Sequence, residues 1–180
     1  MNSQKDWKIF LYNDIHSHIP GSGRVMSIDF AKPFTIPPLQ SVTIGVHPWS
    51  AGEVIDWDRF ESFLKDERVV GVGEAGLDAL RGPGMSIQMP IFERQIELAE
   101  RYSLPLIIHS VRSNHRILQL MKKYSPDVPW IIHGFRGNDV EAKNLIDAGL
   151  HLSLGDKSRI DTSILPSEFV HWESDEEQVQ

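Results

Sequence analysis

The sequence predicts an α/β barrel of the TIM type, shortened, and two patterns carry that prediction. Eight short β-branched runs recur along the chain: KIFLYNDIHSH, VMSIDF, SVTIGVHP, VVGVGEAGLD, PLIIHS, PWIIHGF, LHLSLG and EFVHWESD. Three intervals between the later runs, FERQIELAERY, RILQLMKKY and DVEAKNLIDAG, place apolar residues at helical spacing. Strands alternating with helices build βαβ units and a parallel sheet, and eight parallel strands close into a barrel.

The elements follow in order. The first three runs are separated by IPGSGR and AKPFTIPPLQ, whose Gly and Pro leave no room for a helix. The three helices then occupy the gaps after the fourth, fifth and sixth runs, and Gly149 stands where the last of them needs a left-handed C-cap. Barrels of this type usually need ~250 residues. With 180 residues the chain is expected to lack one or two outer helices in its first third, and to cover that flank by pairing subunits.

Composition narrows the chemistry. At 41% hydrophobic and 24% charged residues, residues 1–180 are expected to form a single domain. No run of 18 apolar residues and no leader-like N-terminus is present, so a cytoplasmic protein without a membrane span is expected. The absence of cysteine removes disulfides, thiolate ligands and a cysteine nucleophile, which leaves His, Asp and Glu as the strong metal-binding side chains. A net charge of −7 argues against broad nonspecific binding to polyanions.

The polar residues that remain are not scattered. His16, His18, His47, Glu74, His109, His133 and Asp175 all fall at the C-terminal ends of predicted strands. In a parallel barrel those ends form one face, the face on which active sites are built. His16 and His18 are two apart, so a strand presents both on one side, as two ligands of one metal would be. An isolated His-x-His is equally served by ordinary hydrogen bonds; convergence with the other strand ends is what gives the pair weight.

Taken in order, NDIHSH (13–18), GVHPW (45–49), GVGEAGLD (71–78), QMPIFERQIELAERYSLPLIIHS (88–110), IIHGFRG (131–137) and HWESD (171–175) resemble the TatD family of metal-dependent hydrolases, in the amidohydrolase-like group. The resemblance implies two divalent metal ions, with Zn, Mn and Mg all open. His16, His18 and Asp175 would hold one ion, His109 and His133 the other, with Glu74 as the bridge. Physical reasoning agrees with the bridge, since two cations ~4 Å apart need an anionic group between them. Asp175 would also take a proton from the water that the metals activate.

The eighth motif departs from the family pattern. Glu173-Ser174-Asp175 is followed by Glu176 and Glu177, so an acidic tail is the competing reading, and with five residues left after Asp175 no closing helix is expected. His47 is read as a hydrogen-bonding or substrate-orienting residue, Asp78 as a tether for a ligand or loop, and Asp14 as an anchor for the first strand end. His115 and His151 match nothing and read as surface or loop histidines; His171 is ambiguous.

The resemblance implies metal-dependent DNase activity, generally exonucleolytic, with DNA as substrate. Arg112 and Arg136 follow ligand histidines closely enough to reach a phosphate, although neither matches the family's spacing, and a solvated loop explains them equally well. Two other readings stand beside it: hydrolysis of a small ester, amide or lactone at the same metals, and a metal-binding scaffold without catalysis.

Overall fold

The computed structural model describes residues 7–176. Eight strands, β1 (Asp14–Ser17), β2 (Arg24–Asp29), β3 (Val42–Gly45), β4 (Val69–Asp78), β5 (Leu106–Val111), β6 (Trp130–Ile132), β7 (His151–Leu154) and β8 (Val170–Trp172), lie in sequence order in one parallel sheet. The sheet curls until its edges meet. Closure comes from single bonds just past β8: the Asp175 amide donates to the His16 carbonyl at 3.1 Å, and the His18 amide to the Glu176 carbonyl at 2.9 Å. Asp14 adds a side-chain stitch, accepting from the Ser174 amide (3.1 Å) and hydroxyl (2.7 Å). This is a TIM-type barrel.

Four α-helices clothe it: α1 (Trp57–Phe63), α2 (Met85–Tyr102), α3 (Asn114–Tyr124) and α4 (Asp139–Asp147). Each starts or stops where its residues require. Asp56 and Asn138 cap α1 and α4 by accepting the amides of Arg59 and Glu141, and Gly149 just past α4 takes φ +93°, as its position predicts. The inward stripes of α2 (Phe92, Ile96, Ala99), α3 (Ile117, Leu120) and α4 (Ala142, Leu145) are buried against the outer face of the strands. Each large apolar side chain so buried contributes ~1.5–3 kcal/mol.

No α-helix joins β1 to β2 or β2 to β3, as the Gly- and Pro-rich segments predict, and none joins β7 to β8 either. The second connection nonetheless covers its own flank. Phe34 packs with Phe63 of α1 and with the buried Phe30, and Ile36 packs against the same core. Among the described residues, no helix is long and apolar enough to cross a membrane.

Three expectations need correction. The run KIFL is not the start of β1 but a 3-10 turn, Lys8–Leu11, whose Ile9 is fully buried in a small cluster with Ile15, Val25, Val70, Ile107 and Ile131. Ile107 and Ile131 precede His109 and His133 by two residues and share their side of the strand, so this cluster is the floor beneath the site. The short helix α1 was not expected, and α2 begins at Met85 rather than at Phe92, with Pro90 inside it.

Candidate metal centre

At the C-terminal end of the strands, one carboxylate organises the histidines. Glu74 is 6% exposed and its two oxygens face different sets. Oε1 lies 2.6 Å from His109 Nδ1, 2.7 Å from His133 Nε2 and 3.1 Å from His47 Nε2. Oε2 lies 3.4 Å from His16 Nε2 and 3.9 Å from His18 Nε2. Asp175 closes the second set, with Oδ1 at 3.7 Å from His16 Nε2 and 3.5 Å from His18 Nε2.

The backbone explains how Glu74 reaches this point. Gly76, two residues on, has φ +145°, and a Cβ there would stand 2.1 Å from the His109 carbonyl oxygen, so glycine alone lets β4 run this close to β5. Two buried glutamines of α2 brace the strand ends. Gln88 accepts from the Asp78 amide (2.8 Å) and donates to the Asp78 carbonyl (3.0 Å). Gln95 does the same for Val46, at 2.7 Å and 3.1 Å. Asp175 itself sits at φ +49°, an uncommon conformation for a residue with a side chain, held by the hydrogen bond its N–H donates to the His16 carbonyl.

Behind the first ring of donors stands a second. Asp78 Oδ2 lies 3.1 Å from His109 Nε2 and also accepts the Trp49 indole N–H at 2.8 Å, so His109 turns Nδ1 toward Glu74. Glu173, fully buried in its side chain, faces His133 Nδ1 at 3.4 Å. His47 Nδ1 accepts the Trp49 amide at 3.2 Å, which puts its proton on Nε2 and makes it a donor to Glu74 rather than a free ligand.

Electrostatics follow from this crowding. Burial works against ionising Glu74, yet the His133, His109 and His16 rings hold its carboxyl well below the ordinary glutamate range. Burial likewise works against protonating His133, and the Glu74 and Glu173 carboxylates overcome it, raising its pKa well above the usual value. His18 is raised by its bond to Asp175. Burial opposes ionisation of Asp175, but His18 leads the groups that keep it below the ordinary value, so it is a carboxylate at neutral pH.

Whether these residues suit a cation is decided by what they leave unmet. Both ring nitrogens of His16 are buried with no hydrogen-bond partner among the described residues, and a buried imidazole without a partner is costly. Overlapping triads (His16, His18, Asp175; His16, Glu74, His133; His47, Glu74, His109; His133, Glu173, Asp175) each bring three donor atoms within 4.8 Å of one another. Imidazole and carboxylate donors at such spacing fit Zn²⁺ or Mn²⁺ readily.

The remaining sequence candidates fall outside this ring. Arg136 is exposed and lines a small side cavity of about 110 Å³ that also touches Asp175 and Lys157. Arg112 is exposed at φ +49° and lines neither that cavity nor the one over Glu74. The cavity over Glu74, about 340 Å³, is bordered by His18, Asp29, Lys32, Trp49, His133 and Asp175 among others. Sequence reasoning missed Glu173 and Lys32. The Glu-Ser-Asp motif contained a signal for the first; nothing in AKPFTIPP marks Lys32. Glu176 pairs with Arg24 at 2.8 Å, whereas Glu177 lies outside the described residues.

Comparison with known proteins shows the family. The family model described as TatD related DNase matches residues 30–171. That span includes His47, Glu74, Asp78, His109 and His133 and stops short of His16, His18 and Asp175. The chain is 33% identical over 89 residues to the metal-dependent hydrolase YjjV of Escherichia coli (strain K12), covering 49% of this chain and 34% of that one. It is 30% identical over 116 residues to the 3'-5' ssDNA/RNA exonuclease TatD of Cronobacter sakazakii, covering 62% and 44%. These matches take in less than half of either relative's length. The crystal structure of YjjV superposes with a TM-score of 0.70 at 23% identity, over 84% of this chain and 66% of that one. With the matched model covering most of the sequence, the chain belongs to the TatD family of metal-dependent hydrolases.

Proposed function

We propose that the protein hydrolyses phosphodiester bonds of DNA from an end of the strand, at a site for two divalent cations. The observation that carries this reading is the division of Glu74: one oxygen faces His109 and His133, the other His16 and His18 with Asp175 opposite. His16, His18 and Asp175 would hold one ion, His109 and His133 the other, and Glu74 would stand between them. Such ions would supply Lewis acidity toward a phosphoryl oxygen and lower the pKa of bound water toward ~7. A relative bearing an exonuclease name supports a nucleic-acid substrate.

The chain's own groups have definite tasks in this scheme. Asp175, ionised and partly exposed, takes the proton of the attacking water. Asp78 and Glu173 fix the rings of His109 and His133 from behind. His47 donates to Glu74 Oε1 and so limits the charge on the bridging carboxylate. Lys32 at the cavity edge and Arg136 in the side cavity offer positive charge to phosphates, whereas Arg112 borders neither.

The test is direct. Protein stripped by chelation and reloaded with Mg²⁺, Mn²⁺ or Zn²⁺ should shorten single-stranded DNA only when reloaded. Asp175→Asn should abolish turnover while retaining part of the metal, because asparagine keeps an oxygen donor but cannot take the proton. His109→Ala should instead lose metal, with partial recovery in excess metal. Hydrolysis of small esters or amides with intact DNA would replace this reading by the small-substrate one. Wild-type turnover in Asp175→Asn would remove Asp175 from the mechanism.

A further inference from the structure

We infer that Trp49 is a stacking platform for a nucleobase of the bound strand, so that the site grips an unpaired base beside the phosphate it cleaves. The inference rests on the phosphodiesterase reading and specifies the substrate feature recognised. Trp49 is 47% exposed although it borders the site cavity together with Glu74 and His109. A lone exposed aromatic ring needs no explanation by itself. This one is held rigidly.

Its indole N–H donates to Asp78 Oδ2 at 2.8 Å, and that same oxygen lies 3.1 Å from His109 Nε2. Its amide donates to His47 Nδ1, and the next residue, Ser50, is tied to Asp29 at 2.7 Å. Gly82 at φ +80° lets the loop between β4 and α2 lie against the Trp49 backbone, where a Cβ would stand 2.9 Å from the Trp49 Cα. The indole is therefore fixed relative to the metal-binding ring, 6.1 Å from the His109 ring by centroid. A base and the phosphate of its own nucleotide can span such a separation. The exposed Arg81 guanidinium lies over the indole at 5.1 Å, a cation–π contact on one face that a stacking base displaces or leaves in place by using the open face.

Stacking accepts any base, since each has a flat π-face, but it requires that the face be free. A base inside a duplex offers none until it is unstacked. The platform thus favours single strands or frayed ends without reading sequence. Preorganisation by Asp78 spares the loss of ring freedom on binding.

The experiment compares two strands on Mn²⁺-loaded protein, both carrying non-hydrolysable phosphorothioates: one with bases, one abasic with the same phosphate spacing. Wild-type protein should bind the first more tightly and show quenching of indole fluorescence. Trp49→Ala should weaken that binding ~5- to 100-fold and leave the abasic strand unchanged. Trp49→Phe, which keeps a ring but loses the bond to Asp78, should retain most of the difference. Equal weakening for both strands, a Phe variant as poor as Ala, or a wild-type protein indifferent to the bases would each overturn the platform. If Trp49→Ala does not fold, the wild-type and Phe comparisons decide alone. Base-dependent binding without metal-dependent cleavage of ordinary DNA would overturn the phosphodiesterase reading and leave the platform standing; cleavage without base dependence would do the reverse.

Discussion

Histidines gather at both ends of the barrel, and the two ends treat them in opposite ways. At the C-terminal end, His16, His18, His47, His109 and His133 surround Glu74 and Asp175, and the carboxylates raise the pKa of His18 and His133. At the N-terminal end, His151 opens β7 and its Nδ1 lies 2.9 Å from His171 Nε2 of β8, with Phe10 stacked on both. There burial dominates and both rings are pushed down to about 4. The residue type is the same. What differs is whether carboxylates outweigh burial: the hydrogen bond from His151 to the Glu168 backbone and the Glu168 charge oppose its shift without overcoming it, and this balance decides whether imidazole is a site for a cation or a neutral piece of packing.

The largest effect expected from breaking the comparison is at Glu74. Glu74→Gln removes the charge shared by both histidine sets and leaves one amide oxygen in place of two carboxylate oxygens. Metal content should fall and turnover drop by more than ~100-fold, because even the partners that merely orient a ligand are worth 10–100-fold. His171→Leu at the other end should leave metal content and turnover as in the wild type. Metal analysis and DNA hydrolysis on both variants check this, and a Glu74→Gln protein that keeps its full metal content would remove Glu74 from the bridging role proposed for it.

The same contrast explains what was legible in the sequence. Strand ends carrying His or Glu after β-branched runs are local signals, and so the barrel and its polar face could be read directly. The N-terminal end could not. His151 reads as a loop histidine because its partner is twenty residues away and apolar stacking leaves no motif. KIFL has the composition of a strand, yet it folds as a 3-10 turn because Ile9 closes the barrel floor, a tertiary demand that overrides local propensity. Helix α1 did leave a signal: Asp56 as N-cap and Trp57, Phe60 and Phe63 at spacing three, over too short a stretch to stand out.

A pH titration of stability should separate the two ends by sign. His151 and His171 have folded pKa values below the ordinary 6.5, so the unfolded chain binds more protons below that pH. Stability they contribute is complete above about 6.5 and is lost as pH falls toward about 4, on the order of a few kcal/mol for the pair. His18 and His133 are raised, so in chelated protein their contribution is full below 6.5 and is lost as pH rises through their folded values. Cations occupying the site should replace those protons and remove this second limb. Urea midpoints between pH 4 and 9, with and without Mn²⁺, measure both. A His171→Leu variant whose acid limb matched the wild type would show that the buried pair does not control it.

The smallest expected effect isolates what Phe10 does. Its ring lies 4.3 Å from His171 at an interplanar angle of 5° and 5.3 Å from His151, while the neighbouring Ile9 is fully buried and holds the turn in place. Phe10→Ala should therefore leave the floor intact and remove only the stack, at ~1–2 kcal/mol, since aromatic pairs add 0.5–1.5 kcal/mol beyond area burial. Water admitted to the two histidines should raise their pKa toward 6.5 and make the acid limb shallower, because less is lost when a hydrated ring takes a proton. Phe10→Leu restores apolar cover without a π-face. If burial alone depresses the pair, leucine should recover the wild-type acid limb; if the stacked ring itself matters, leucine should resemble alanine. In both variants the metal-binding end should keep its metal content and turnover, and a change there would mean that the two ends of the barrel are coupled through the floor.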